Sequence, residues 1–391
     1  MKLNVLRVVT TLVVSLSTST VFGQSATQQQ DRVKRVVDEA IRPVMQHDGI
    51  PGMAVGIIVA GQSYVFDYGL ASKAGGKPVT HDTLFELGSI SKTLTATLAS
   101  YAQVDGKLKL SDRVDTYLPQ LQGTQFGAVS LINLGTHTPG GVPLQVPENL
   151  KNNAQLMKYL ADLKPTYAPG TYRTYSNVGI GMLGLITAQS MQQDFATLME
   201  QRLFPALGMK HSYIHVPPAE IKNYAQGYTS DDVPIRMAVG VLSEQAYGVR
   251  STASDMIRFV AENMQLMPLD VKFQRAITDT HTGYYKVGSM TQDLIWEQYA
   301  YPVDLKTLEA GNSQAVIFNA TPVTQLTPPE KPRDDVLLNK TGSTNGFGAY
   351  VAFVPDQKFG IVILANKNYS IEERVTIAHQ ILTKLTSQSG G

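Results

Sequence analysis

Apolar positions along the chain change their period from segment to segment. Across residues 31–47, Val33, Val36, Val37, Ile41 and Val44 fall on one side of a helical spiral, with charged residues between them. This spacing predicts an amphipathic helix over Asp31–His47. The run MAVGIIVAGQSYVFDYGLA follows, apolar nearly throughout and broken at Ala60–Gln62, and predicts two β-strands joined by a tight turn. GAYVAFVPDQKFGIVILAN repeats that form near the other end, with its turn at Pro355–Asp356. Helical spacing returns over Ile371–Thr386. Between these ends, roughly Ser89 to Leu203, the pattern reads mostly as helices and loops. Leu94, Leu98 and Tyr101 mark the inner face of the helix that follows Ser89.

Strands near both ends, with helices outside them, predict an α+β fold. An antiparallel sheet is assembled from both chain ends, flanked by helices, and a mostly helical domain is inserted in the middle. The expected division is a sheet domain from residues 27–85 and 204–391 and an inserted helical domain from residues 86–203. A ligand cleft belongs at their junction. The Pro/Gly-rich stretches HTPGGVPLQVPENL and KPTYAPGTYRTYSN are its expected loops.

Composition narrows the function classes. The 391 residues are 43% hydrophobic and 17% charged, enough for one large core or two closely associated ones. A net charge of +1 gives no pull toward nucleic acid or an anionic membrane. The chain has no cysteine, which excludes a disulfide framework and a thiol nucleophile. Lys2 and Arg7 precede the apolar run Val8–Val14 and the small-residue stretch SLSTSTVFGQSA, the layout of a cleavable secretory signal. Val21 and Gly23 suit a cut near Gly23, so residues 1–23 are the expected signal, with Ala26 as the alternative cut. The apolar stretch is short for a bilayer span, and no later segment approaches that length. The expected mature protein is soluble, exported and free of the membrane.

Three short motifs could carry chemistry. In FELGSISKTLTA, Ser89 and Lys92 lie three residues apart and share a helix face. A lysine there is either a packing contact or a base aimed at a nucleophile, and Ser89 alone is equally a helix cap. In TYRTYSNVG, Tyr175 and Asn177 alternate in an extended loop and point the same way. In LLNKTGSTNGFGAYVAFV, Lys340 supplies a cation and Thr341 a hydroxyl for a carboxylate, and Gly342 lets a ligand approach the strand backbone. No H-E-x-x-H occurs, which argues against a zinc hydrolase, and no G-x-S-x-G, which argues against an α/β-hydrolase esterase.

Each motif is weak alone, but S-x-x-K, Y-x-N and K-T-G in this order resemble the penicillin-recognising serine enzymes. HTPGGVPLQVPE (His137–Glu148) looks like the H-T-x-G-G-L-P-L-Q-V-P stretch of class C (AmpC-type) β-lactamases. YAPGTYRTYSNVGIGMLG, AYGVRST, KTGSTNGFGAYVAF and LANKNY match that family too, so the resemblance runs from about Asp31 to the C-terminus. The S-D-N and E-x-x-L-N motifs of class A relatives are absent.

The resemblance implies a periplasmic, monomeric hydrolase of small β-lactams, without metal or cofactor and without a nucleic-acid partner. It implies Ser89 as nucleophile, with Lys92 and Tyr175 managing its proton and Lys340 beside Tyr175. Which of Lys92 and Tyr175 is the base stays open. The backbone N–H groups of Ser89 and Ser343 would form the oxyanion hole. Gln145 and Asn177 would hold the substrate amide, Lys340, Thr341 and Gly342 its carboxylate end, and Tyr247 would line the wall. Arg374 resembles a family arginine near the carboxylate site, but Ile371 stands where the family often has asparagine. Residues 214–250 and the segment Met290–Tyr301 are expected to set substrate preference. A D-alanyl-D-alanine peptidase or esterase with the same machinery, or a sensor that stays acylated, is the rival reading.

Overall fold

The structure is a computed structural model that describes residues 18–386, with side chains from residue 27 onward. The apolar run Val8–Val14 lies outside the described residues. The expected cut near Gly23 falls in a stretch described only as backbone helix. The first apolar spiral forms α1 (Thr18–His47), which buries Val33, Val37 and Ile41. The next run folds as β1 (Gly52–Val59) and β2 (Gln62–Ser72), followed by the short β3 (Lys77–Pro78).

Seven more strands complete the main sheet: β4 (Gly283–Val287), β5 (Met290–Gln292), β6 (Glu297–Ala300), β7 (Thr324–Glu330), β8 (Val336–Ser343), β9 (Gly348–Val354) and β10 (Phe359–Ala365). Their order is β7-β4-β5-β6-β8-β9-β10-β1-β2-β3, and every neighbouring pair is antiparallel. The two predicted hairpins meet where β1 pairs β10, Met53 opposite Ala365 and Ile57 opposite Ile361. The sheet is thus closed across the two ends of the chain.

Alternation along the strands sends side chains to two cores. Val55, Ile57, Tyr350, Ile361 and Ile363 pack with α1 and with the last helix, Ile371–Thr386, through Val375 and Ile381. Ala54, Ile58, Val351, Phe353, Val362 and Leu364 face the other way, toward α2 (Ser91–Val104) and the helix Ala253–Asn263. A sheet covered on both faces explains why these strands read as unbroken apolar runs. A third core surrounds α3 (Asn177–Ser190), where Val178, Met182, Leu183 and Ile186 meet the alanine face of α2, Ala96, Ala99 and Ala102.

One expectation is corrected. The segment Met290–Tyr301, expected to set substrate preference, does not line the cleft. It supplies β5 and β6, and its Trp296 is fully buried, edge-on to Phe353 at 5.2 Å. Its polar residues, Gln292, Glu297 and Gln298, are buried in strands, and this hid the strand pattern.

Two glycines set the distance between the sheet and the turn that carries Ser89. Gly88 begins that turn with φ +53°, in the left-handed region where glycine is favoured, and a Cβ there would lie 2.5 Å from the Ser343 nitrogen. A Cβ on Gly342 would lie 2.1 Å from the Leu87 carbonyl oxygen, a backbone atom that cannot swing aside. Gly342→Ala should therefore force β8 away from the turn. The expected loss is about 1–3 kcal/mol of stability. Thermal unfolding followed by the single tryptophan, Trp296, measures it, and an unchanged midpoint would contradict the close approach.

Candidate active site

A cleft of about 1230 Å³ opens where the end of β8, the Ser89 turn and the loop before α3 converge. Ser89, Gln145, Tyr175, Asn177, Tyr247, Thr341 and Ser343 all line it. The sequence motifs thus meet in space although they lie on separate elements.

Ser89 sits in the short 3-10 turn Gly88–Ile90, and α2 continues directly from it. Its N–H belongs to an opening helical turn, where backbone donors lack helical partners. One turn further on, Lys92 donates from Nζ to Ser89 Oγ at 2.7 Å and to the Ala246 carbonyl at 2.9 Å. Lys92 is fully buried, and burial is the main force pushing its amine down to about 8, with Lys340 adding to the effect and Tyr175 opposing it.

Tyr175 precedes α3. Ser176, between it and Asn177, is the cap of that helix. Its Oγ accepts from the Gly179 N–H at 2.9 Å and donates to the Pro143 carbonyl at 2.6 Å. The Asn177 N–H donates to the Leu144 carbonyl at 2.8 Å, which ties the Gln145 loop to the helix start. The Asn177 Oδ1 is left at the cleft, buried and without a hydrogen-bond partner among the described residues.

The phenol ring of Tyr175 lies between two lysines. Lys92 Nζ and Lys340 Nζ each stand 5.2 Å from its centroid. Burial alone would raise this phenol, but the charges of Lys340 and Lys92 and a hydrogen bond with Ser89 outweigh it and bring it down to about 8. Arg173 Cζ is a third cation, 5.5 Å from the same ring, but its Nη2 is paired with Glu297 Oε1 at 2.9 Å. His137 also packs on Tyr175, its ring tilted by 37° with centroids 4.2 Å apart. The Ser176 N–H donates to His137 Nδ1 at 3.3 Å, so the neutral ring carries its proton on Nε2. Burial, then the charges of Arg173, Lys92 and Lys340, hold His137 well below the usual imidazole range. It is a neutral wall and adds no charge.

The carboxylate end differs from expectation. Lys340 is 2% exposed and Arg374 is fully buried, and neither lines the cleft. Arg374 donates to the Gly342 carbonyl at 2.8 Å, Ser343 Oγ at 2.9 Å and Asn368 Oδ1 at 2.7 Å, and also to the Tyr369 carbonyl. It holds the end of β8 from behind and does not offer a free fork to a ligand. Thr341, Ser343, Thr344, Asn345 and Asn368 form the surface there, with Ile371 beside them. Tyr247 is half-buried on the wall, and burial raises its phenol, so it stays protonated.

Sequence reasoning missed two groups. One is the buried network behind Tyr175, formed by Arg173, Glu297 and Gln292; a buried arginine demands a carboxylate, but nothing local says which. The other is the cleft wall from Lys306 to Phe318, whose polar and apolar residues show no strong period.

The chain is similar to known proteins along most of its length. The family model described as Beta-lactamase matches residues 37–385. The beta-lactamase of Pseudomonas fluorescens is 49% identical over 353 residues, spanning 90% of this chain and 99% of that protein. A solved structure described as the D-alanine carboxypeptidase AmpC from Burkholderia cenocepacia shares 56% identity with a TM-score of 0.88, covering 90% of this chain and 99% of that one. A class C beta-lactamase in complex with cefoxitin shares 50% identity with a TM-score of 0.89, covering 91% of this chain and 99% of that one.

The site makes a spectroscopic prediction. As pH rises, a phenolate should form near pH 8, well before an ordinary tyrosine ionises. The ultraviolet phenolate band measures it, and Tyr175→Phe should delete that early step. An early step that survives the substitution would place the low phenol elsewhere.

Proposed function

The chain belongs to the beta-lactamase family, and from that membership we propose how its cleft carries out the reaction. It is a serine β-lactamase of class C type, hydrolysing the β-lactam amide. The residue roles that follow are our reading of the geometry, and one observation carries them: Ser89 and Tyr175 line the cleft, and Lys92 and Lys340, buried behind that surface, both face the Tyr175 phenol.

In this reading Ser89 Oγ attacks the lactam carbonyl carbon, and its proton passes to neutral Lys92 or to the Tyr175 phenolate. The two groups titrate as a coupled pair, so the proton belongs to the pair. The carbonyl oxygen becomes an oxyanion between the N–H groups of Ser89 and Ser343; losing one such donor costs roughly 10²–10³ in rate. The C–N bond then breaks, and the departing nitrogen takes the proton back through Tyr175. A water attacks the resulting ester, gives its proton to Tyr175, and the C–O bond breaks as Ser89 Oγ is reprotonated. Gln145 and Asn177 hold the substrate amide, and Tyr247 forms the wall. Thr341 and Ser343 meet the carboxylate through hydroxyls, with the charge of Lys340 behind them and Arg374 as support.

Small β-lactams such as the cefoxitin bound by the similar class C structure are the substrates we assign. We also read residues 1–23 as an export signal, the mature chain as a periplasmic monomer, and the inserted helical part as a domain of its own. No helix among the described residues is long and apolar enough to cross a membrane. A second reading, release of a terminal D-alanine, is favoured by the description of the similar Burkholderia cenocepacia structure as a D-alanine carboxypeptidase. Both readings share the acylation step and differ in how fast water releases the acyl group.

Three experiments test the reading. A chromogenic cephalosporin should be hydrolysed over many turnovers, and a slowly released β-lactam should add its mass to the Ser89 peptide and not to Ser89→Ala. A stoichiometric burst followed by a flat trace would favour the peptidase or a sensor instead. Lys340→Ala should lower kcat/KM by about 10–100-fold, the equivalent of removing a cation that shifts a neighbouring phenol by about one to two pH units. It should also move the acid limb of the pH profile to higher pH, because Tyr175 loses a neighbouring cation. Loss of activity with an unmoved limb would remove Lys340 from the control of that phenol.

A further inference from the structure

Behind Tyr175, one carboxylate serves two cations. Glu297 Oε1 lies 2.9 Å from Arg173 Nη2 and 3.6 Å from Lys340 Nζ. All three side chains are at most 5% exposed. The position of Glu297 is fixed by the sheet: it stands opposite Asn339, the residue before Lys340, and Asn339 Nδ2 donates to the Glu297 carbonyl at 2.8 Å. Arg173 is fully engaged as well, with Nε donating to Gln292 Oε1 at 2.7 Å and Nη1 to the Val316 carbonyl at 2.7 Å.

We propose that Glu297 is a positioning residue for the reaction: by pairing Arg173 and anchoring Lys340, it fixes how much positive charge Tyr175 faces. This rests on the role given to Tyr175 above. Arg173 lies two residues before Tyr175 and its guanidinium is as close to the ring as either lysine, within a few tenths of an ångström. Without Glu297 the phenol would face three cations with no carboxylate between them.

The charged and titratable groups around the pair are few. Tyr175 is faced by Lys92 from α2, Lys340 from β8, Arg173 from the two-residue strand Tyr172–Arg173 just before it, and His137, which stays neutral. Glu297 is faced by Arg173 and Lys340, and by Tyr299 and Tyr350 from the same sheet. Burial raises both of these phenols, so they remain protonated. The charge of Glu297 opposes loss of the Tyr175 proton and favours the protonated form of Lys92. Its removal therefore pushes both groups toward their deprotonated forms at lower pH.

The test uses Glu297→Gln, which keeps size and shape, with Glu297→Asp as the conservative rescue. The Tyr175 phenolate is read as the ultraviolet difference between each variant and the same variant carrying Tyr175→Phe. Its titration should move down by about one pH unit in Glu297→Gln and return part of the way in Glu297→Asp. The acid limb of kcat/KM should move with it. A folded Glu297→Gln variant whose phenolate titrates where the parent's does, or higher, overturns the proposal, whatever its activity. A phenolate that moves while the kinetic limb stays fixed supports the charge role of Glu297 and overturns the catalytic role given to Tyr175.

Discussion

An imbalance of buried charge organises this molecule. Lys92, Lys340 and Arg173 are buried round one phenol, and Glu297 is the carboxylate paired with two of them. Burying an ion costs several kcal/mol unless it is paired and hydrogen-bonded. A site that wanted only stability would match each cation with an anion. Here the matching is left incomplete beside Tyr175 and Ser89, and in the proposed mechanism an anion formed during reaction supplies the missing partner. A phenolate or an oxyanion then gains from charges already in place, which need not reorganise when it forms.

Holding like charges together requires a frame that cannot relax. Lys92 comes from α2, Tyr175 from the loop capping α3, and Lys340 and Glu297 from strands two apart in chain order but hydrogen-bonded neighbours in the sheet. α2 packs in the core it shares with the sheet and in the core it shares with α3, so all of these elements are tied to one another. The two glycines at 88 and 342 bring the strand onto the serine turn, and Arg374 ties the end of that strand from the far side. The cations cannot drift apart without breaking a sheet register or opening a packed interface.

How much of this is legible in the sequence follows from the range of each interaction. The terminal hairpins, the first helix and the helix Ile371–Thr386 are local patterns, and they fold as the periodicity says. The motif residues Ser89, Tyr175, Asn177, Thr341 and Ser343 do meet at the cleft, because short spacing and backbone period fix their directions. What failed was set by distant partners. The strands of Met290–Tyr301 carry buried polar residues whose acceptance depends on Arg173, more than a hundred residues away, so local pattern concealed them. Arg374 looked like a ligand group, yet four nearby acceptors capture it, and only the packed structure reveals that.

The same burial that prepares the site weakens the fold. Burial brings the Lys92 amine from 10.5 to about 8, so the folded state binds that proton less readily than the unfolded chain. Below about pH 8 both states are protonated, and folding carries the whole difference. At roughly 1.4 kcal/mol per unit this is on the order of 3 kcal/mol, and it is relieved only as pH rises from about 8 toward the unfolded value. The lowered Tyr175 phenol acts in the same direction: its contribution is absent at neutral pH and appears as pH rises through about 8. Neither group stabilises the folded chain where most proteins work. In the proposed mechanism this cost, carried by the double-faced sheet, places a base and an acid within reach of Ser89.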